Sequence, residues 1–201
     1  MKNILLINLF TAILILLGGC GTSRPSRFYT LNSMPIPPEK AELSDKQNRI
    51  TVGIDLNDIP AYLNKPQMAV RVSTNELKLD EFNRWAETVK DSFPKIIADN
   101  MISILPSDKF IVFSRKGILS VDYQVIINVT RFDGAPGKSV SLITQWGIYN
   151  SKEDKLLSAQ TSDIKVETEG DDFEALVSAQ SKALEILSRQ ISLSVERLVK
   201  K

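Results

Sequence analysis

The strongest constraint in this chain is a run of alternating apolar residues that repeats across two adjacent stretches. Val121, Tyr123, Val125, Ile127 and Val129 share one face, and Val140, Leu142, Thr144, Trp146 and Ile148 share another. A period of two residues is the signature of a half-buried β-strand, because successive side chains point to opposite faces. Gly134-Ala135-Pro136-Gly137 supplies a turn between the two strands, and the polar stretch Asn150 to Lys155 supplies a second, leading into a third strand over Leu157–Glu167. Three strands in sequence, joined by short polar turns, form an antiparallel meander. A helix is then needed to cover its apolar face. Phe173, Leu176, Val177, Leu184, Leu187, Ile191, Val195 and Leu198 recur at helical spacing and provide one. Asp171 or Asp172 can cap it, and Arg197, Lys200 and Lys201 suit the negative end of its dipole.

Upstream, Ile50, Val52, Ile54 and Leu56 alternate as a strand, and Arg27–Leu31 and Met68–Ser73 read as others. Glu76–Leu79 reads as a short return strand after a turn at Ser73-Thr74-Asn75. Ser92–Leu105 reads as a helix capped by Ser92, with Pro94 in its first turn and Pro106 ending it; Phe110–Phe113 follows as a strand. The proline-rich stretches Asn32–Asn48 and Asp58–Gln67 read as loops. The fold class is α/β: a mixed β-sheet with an antiparallel meander and helices packed on it, in a single domain.

The N-terminus is of a different kind. Lys2 precedes a mostly apolar run from Ile4 to Leu17. At 14 residues the run is short for a membrane-spanning helix, which needs about 20, and fits a signal-peptide h-region. Leu17-Gly18-Gly19-Cys20 closes it and resembles the bacterial lipobox. That resemblance implies a lipoprotein signal peptide over 1–19, a diacylglycerol on the Cys20 thiol, and acylation of the new N-terminal amine. Two or more acyl chains give stable anchoring where one gives only marginal binding. Residues 20–26 then form a lipidated tether of small and polar residues, and 27–201 form the domain. Gly21 stands where an Asp would resemble an inner-membrane retention signal, so the expected address is the outer membrane, facing the periplasm.

Charge and composition narrow the chemistry. Lys and Arg number 25 against 24 Asp and Glu. This balance argues against a strongly basic nucleic-acid binder. The chain has no histidine and one cysteine, which removes a Ser-His-Asp triad, a Cys-His pair and a Cys/His zinc site. Gly137-Lys138-Ser139 has Phe132 where a phosphate-binding loop needs glycine. The acidic stretch Glu167, Glu169, Asp171, Asp172 and Glu174 lacks the EF-hand pattern and reads as helix capping. Asp55, Asp58, Asp80 and Glu81 sit at turns and strand ends, and nothing marks them as a catalytic pair. No catalytic residue, metal or cofactor is expected. The candidate partner-binding residues are aromatic or apolar: Phe28 and Tyr29 just beyond the tether, and Tyr62 and Leu63 on a proline-bounded loop, where exposure is expected. For Phe28, as for Trp85, core packing is the alternative.

Several stretches together resemble the PqiC-type lipoproteins. They are Ser26-Arg27-Phe28-Tyr29-Thr30-Leu31, the P-x-Y-L-x-x-P-Q pattern from Pro60 to Gln67, and Asn75-Glu76-Leu77 followed by Arg84-Trp85-Ala86-Glu87. Thr88-Val89 stand where that family usually has a proline, and residues 39–48 do not align. The resemblance implies a non-enzymatic auxiliary lipoprotein of a PqiABC-like, MCE-type lipid transport system. It further implies docking of an MCE-domain, PqiB-like partner at the outer membrane, a homo-oligomeric ring and a part in envelope integrity. The competing reading is a periplasm-facing lipid chaperone, which needs its own acyl-chain cavity between sheet and helix.

Overall fold

The computed structural model describes residues 24–38, 49–114 and 120–199. The expected signal peptide, the Cys20 attachment point and the first part of the tether lie outside these residues. Among the described residues, eight strands form one mixed sheet. They are β1 (Arg27–Tyr29), β2 (Ile50–Asp58), β3 (Gln67–Arg71), β4 (Leu77–Trp85), β5 (Phe110–Ser114), β6 (Tyr123–Gly134), β7 (Ser139–Asn150) and β8 (Lys155–Glu167). Helix α1 (Val89–Ile104) lies between β4 and β5, and α2 (Phe173–Val199) ends the described chain.

β6 organises the sheet. One of its edges pairs antiparallel with β7 along its whole length, and β8 continues the meander. Its other edge is shared: β2 pairs parallel with Tyr123–Asn128, and β3 touches only at Val70 and Gly134. β5 continues outward from β2, while β4 and β1 continue from β3. The β1–β4–β3 group is thus a sub-sheet joined to the main sheet through a single pair.

Alternation puts one face of the meander inward. Val125, Ile127 and Val129 on β6 and Val140, Leu142, Thr144, Trp146 and Ile148 on β7 are buried. The register of β6 shifts between Val129 and Arg131. That bulge reverses the phase, so Phe132 points inward instead of Arg131. Helices α1 and α2 pack on each other and on this face: α1 lies over β2 and β5, and α2 over β7 and β8. Phe93 of α1 meets Phe132 edge to face at 5.9 Å. Each fully buried Leu, Ile or Phe contributes roughly 1.5–3 kcal/mol by leaving water, so the Phe93, Ile97, Leu184 and Leu187 layer holds the helices down. The Trp146 indole N–H, buried in this layer, donates to the Ser162 hydroxyl, which donates on to Gln190 of α2.

Three local features differ from the sequence reading. First, α1 starts at Val89 and is capped by Thr88, not Ser92. The Asp91 amide donates to Thr88 Oγ1, and the Thr88 hydroxyl donates to the Asp91 carboxylate, a reciprocal cap. Ser92 is then buried in the helix, and Pro94 lies inside it, depriving the Lys90 carbonyl of its usual donor. Second, Ala61–Asn64 forms a 3-10 turn within the expected loop. Third, β4 runs on to Trp85 instead of ending near Leu79.

Candidate partner-binding surfaces

The junction of the two parts of the sheet holds the densest polar cluster. Phe132 faces the core, so the pleat puts Arg131 and Asp133 on the face turned away from the helices. Asp133 is nonetheless fully buried. Arg71 of β3 donates through Nε to Oδ1 at 3.0 Å and through Nη2 to Oδ2 at 2.6 Å. Arg131 Nε donates to Oδ1 at 3.0 Å, and the Tyr62 hydroxyl donates to Oδ2 at 2.8 Å. The same Tyr62 oxygen accepts the Phe132 amide, on the stretch of β6 between its β2 and β3 pairings. Burial opposes ionisation of Asp133, but the bonds from Arg71 and Tyr62 and the charge of Arg131 outweigh it and hold the carboxyl below its usual range. Burial, then the bond to Asp133, pushes the Tyr62 hydroxyl up to about 12. The arrangement is a staple that fixes β3 to β6.

This geometry revises the expected exposure of the loop residues. Leu63 is 3% exposed and belongs to the core, because the 3-10 turn folds it inward toward α1. Tyr62 is half-buried and spends its hydroxyl on Asp133. Tyr29 is also half-buried: its ring lies 6.1 Å from Phe173, and its hydroxyl donates to Asn83. Trp85 is buried, whereas Phe28 is 65% exposed. Phe28 sits opposite Arg84 in the parallel β1–β4 register, and Phe82, two residues before Arg84, is exposed as well. A pocket of about 490 Å³ opens beside β1, lined by Arg27, Phe28, Asn32, Asp172, Glu174 and Val177.

Sequence reasoning missed a second surface. On the face of the meander opposite the helices, a groove of about 410 Å³ is lined by Ile126, Gln145, Gly147, Leu156 and Thr161, among others. Gly147 forms its floor. A Cβ there would lie 3.0 Å from both the Leu156 side chain and the Ser158 carbonyl. A glycine within an otherwise regular strand was the available signal, since it marks close approach to a neighbouring group. Leu156 beside it is 55% exposed, on a strand of 13 residues that, among the described residues, pairs with β7 alone.

The other polar candidates are committed locally. Asp80 accepts the amides of Phe82 and Asn83, which holds a bulge in β4. Asp55 accepts from Gln124, and Asp172 caps α2 through the Ala175 amide. Gly137 adopts a positive φ of 69° in the β6–β7 turn, and its amide donates to the Gly170 carbonyl. Among the described residues no group of three or more His, Cys, Asp or Glu side chains could hold a metal, and no helix is long and apolar enough to cross a membrane.

Fold and surfaces define a class: a single-domain, mixed-sheet module whose polar clusters tie its own strands together and whose sheet keeps one face open. The family model for the ABC-type transport auxiliary lipoprotein component matches residues 29–192, and the chain belongs to that family. Two crystal structures share the fold. One, of an uncharacterized protein, is 18% identical with a TM-score of 0.70, covering 86% of this chain and 99% of the other. The second, a Xanthomonas campestris protein of family DUF330, is 16% identical with a TM-score of 0.62, covering 87% and 100%. No curated protein matches the sequence.

Proposed function

We propose that this protein is a non-enzymatic adaptor of a PqiABC-like, MCE-type lipid transport system. A lipid on Cys20 holds it to the periplasmic face of the outer membrane, and copies assemble into a ring that receives an MCE-domain partner and supports envelope integrity. Family membership supplies the auxiliary role and the lipoprotein character. The observation that carries the adaptor reading is the open sheet face. β5, β2 and β6 run parallel, a pairing that in wholly parallel sheets goes with cover on both faces. Here both described helices lie on one face, and the other presents the Gly147 groove next to the edge of β8 that no described strand pairs. Such an edge can take an added strand from another chain. Phe28 and Tyr29 follow the proposed tether directly. Residues 20–26 reach at most about 25 Å when extended, so that end of the domain stays near the lipid surface.

The chaperone alternative needs a hollow between sheet and helices. That space holds the side chains of Ile54, Phe93, Ile97, Phe132, Leu184 and Leu187, all buried. A photo-crosslinking residue placed at Leu156, and separately at Phe28, tests the adaptor reading in living cells. Adducts containing an MCE-domain protein are expected from at least one position. Adducts with phospholipid alone would return the assignment to lipid carriage.

A further inference from the structure

At the start of β6 lies a pocket of about 370 Å³, lined by Arg49, Ile50, Asp122, Tyr123, Asn150 and Lys152. Its one carboxylate is fully engaged. Asp122 Oδ2 accepts the amide and the hydroxyl of Thr51, each at 2.8 Å, and Oδ1 takes Lys152 Nζ at 2.6 Å. Lys152 therefore balances Asp122, and the charge of Arg49 is left over. Arg49 has no ion pair among the described residues, and its Nε is shut off from solvent without a hydrogen-bond partner. A buried donor left unmade costs free energy. Asn150 adds to the bias. Its Oδ1 already accepts the amides of Lys152 and Glu153, so the group it has left to offer is its NH₂. The pocket thus presents a guanidinium, an ammonium with spare N–H groups and an amide donor, with net positive charge.

We infer that this pocket binds a phosphate oxyanion, held by Arg49 with Lys152 and Asn150. A tetrahedral phosphate offers enough acceptor oxygens for three separate donors, and guanidinium pairs with it through two parallel bonds. The site lies about 40 Å, the length of the 12-residue β6, from Gly134, where the sub-sheet carrying β1 is attached. It therefore faces away from the end that carries the proposed tether. The phosphate can come free from solution or as a phospholipid headgroup. The inference rests on this pocket alone and stands apart from the transporter assignment.

The test follows the arginine Nε–Hε NMR signals of the full chain in an uncharged detergent. Inorganic phosphate is titrated against chloride and acetate at equal ionic strength. The expected result is a saturable shift of the Arg49 signal with phosphate alone. Binding should weaken at least tenfold in Lys152→Ala, and saturable binding should be lost in Arg49→Gln when followed by calorimetry. A second arm adds short-chain phosphatidylglycerol. Displacement of phosphate by the lipid identifies a headgroup as a ligand, and phosphate binding that the lipid leaves unchanged identifies the free ion. Equal shifts with chloride or acetate, or unchanged phosphate affinity in Arg49→Gln, would overturn the inference.

Discussion

Replacing Asp133 by Asn probes the staple that joins the two parts of the sheet. The substitution keeps the shape but removes the charge, and it sets an NH₂ where one oxygen had faced arginine or tyrosine donors. Removing one partner of a buried ion pair costs about 3–5 kcal/mol. The arginine side chains here retain some water, with 22% exposure for Arg71 and 38% for Arg131. That access lowers the expected loss to about 2–3 kcal/mol. For a chain of this size each kcal/mol shifts the melting temperature by about 2–4 °C, so the midpoint should fall by roughly 5–10 °C at pH 7. The loss should also be local at first. β3 meets β6 at one residue pair, so amides of β3 and β4 should exchange faster in the variant while those of β6 and β7 keep their protection. The effect has a pH signature. The folded carboxyl titrates below its unfolded value, so its contribution is complete above about pH 4 and is lost as the pH falls through the folded pKa. The gap between wild type and Asp133→Asn should stay constant from pH 7 to about 5 and close in stronger acid. A midpoint drop under about 2 °C, or a gap that persists unchanged in acid, would refute the staple.

Three further substitutions test neighbouring arguments. Tyr62→Phe removes the donor to Asp133 and the acceptor for the Phe132 amide, and urea unfolding should show a loss of about 1–2 kcal/mol. Gly134→Ala places a Cβ 2.4 Å from the Ser139 carbonyl oxygen and 2.9 Å from Val140 Cα, both backbone atoms. Its melting temperature should fall further than that of any other single variant here, with a reduced soluble yield. Thr88→Ala deletes the side-chain cap of α1 and should cost about 1 kcal/mol in the same unfolding assay, with Thr88→Ser restoring most of it.

The sequence was most legible where one period ran unbroken. β6 up to Val129, β7 up to Ile148 and α2 follow their apolar spacing because each buries one face against a single neighbouring layer. Legibility failed where a side chain, and not the apolar pattern, sets the backbone. The second half of β4 reads as polar, yet it continues as a strand. Asp80 gathers the amides of Phe82 and Asn83, and the register jumps from Met68–Asp80 to Gln67–Arg84. At α1 an apparent capping serine lies one turn inside the helix, because Thr88 and Asp91 form a tighter reciprocal pair. The site residues were harder still. Tyr62 sits on what reads as an exposed loop, but its partner Asp133 lies 71 positions away, a distance no local pattern reports. Phe28 shows the converse. Its position in an aromatic strand resembled a core residue, and only its place on the outer edge of the sub-sheet leaves it open.

The central claim is that this domain acts from a lipid anchor at Cys20. Intact-mass analysis of the full-length product extracted from cell envelopes tests it most directly. The account predicts a chain that begins at Cys20 and carries a thioether-linked diacylglycerol with an amide-linked acyl group. A product that begins at Met1 with a free Cys20 thiol would contradict it.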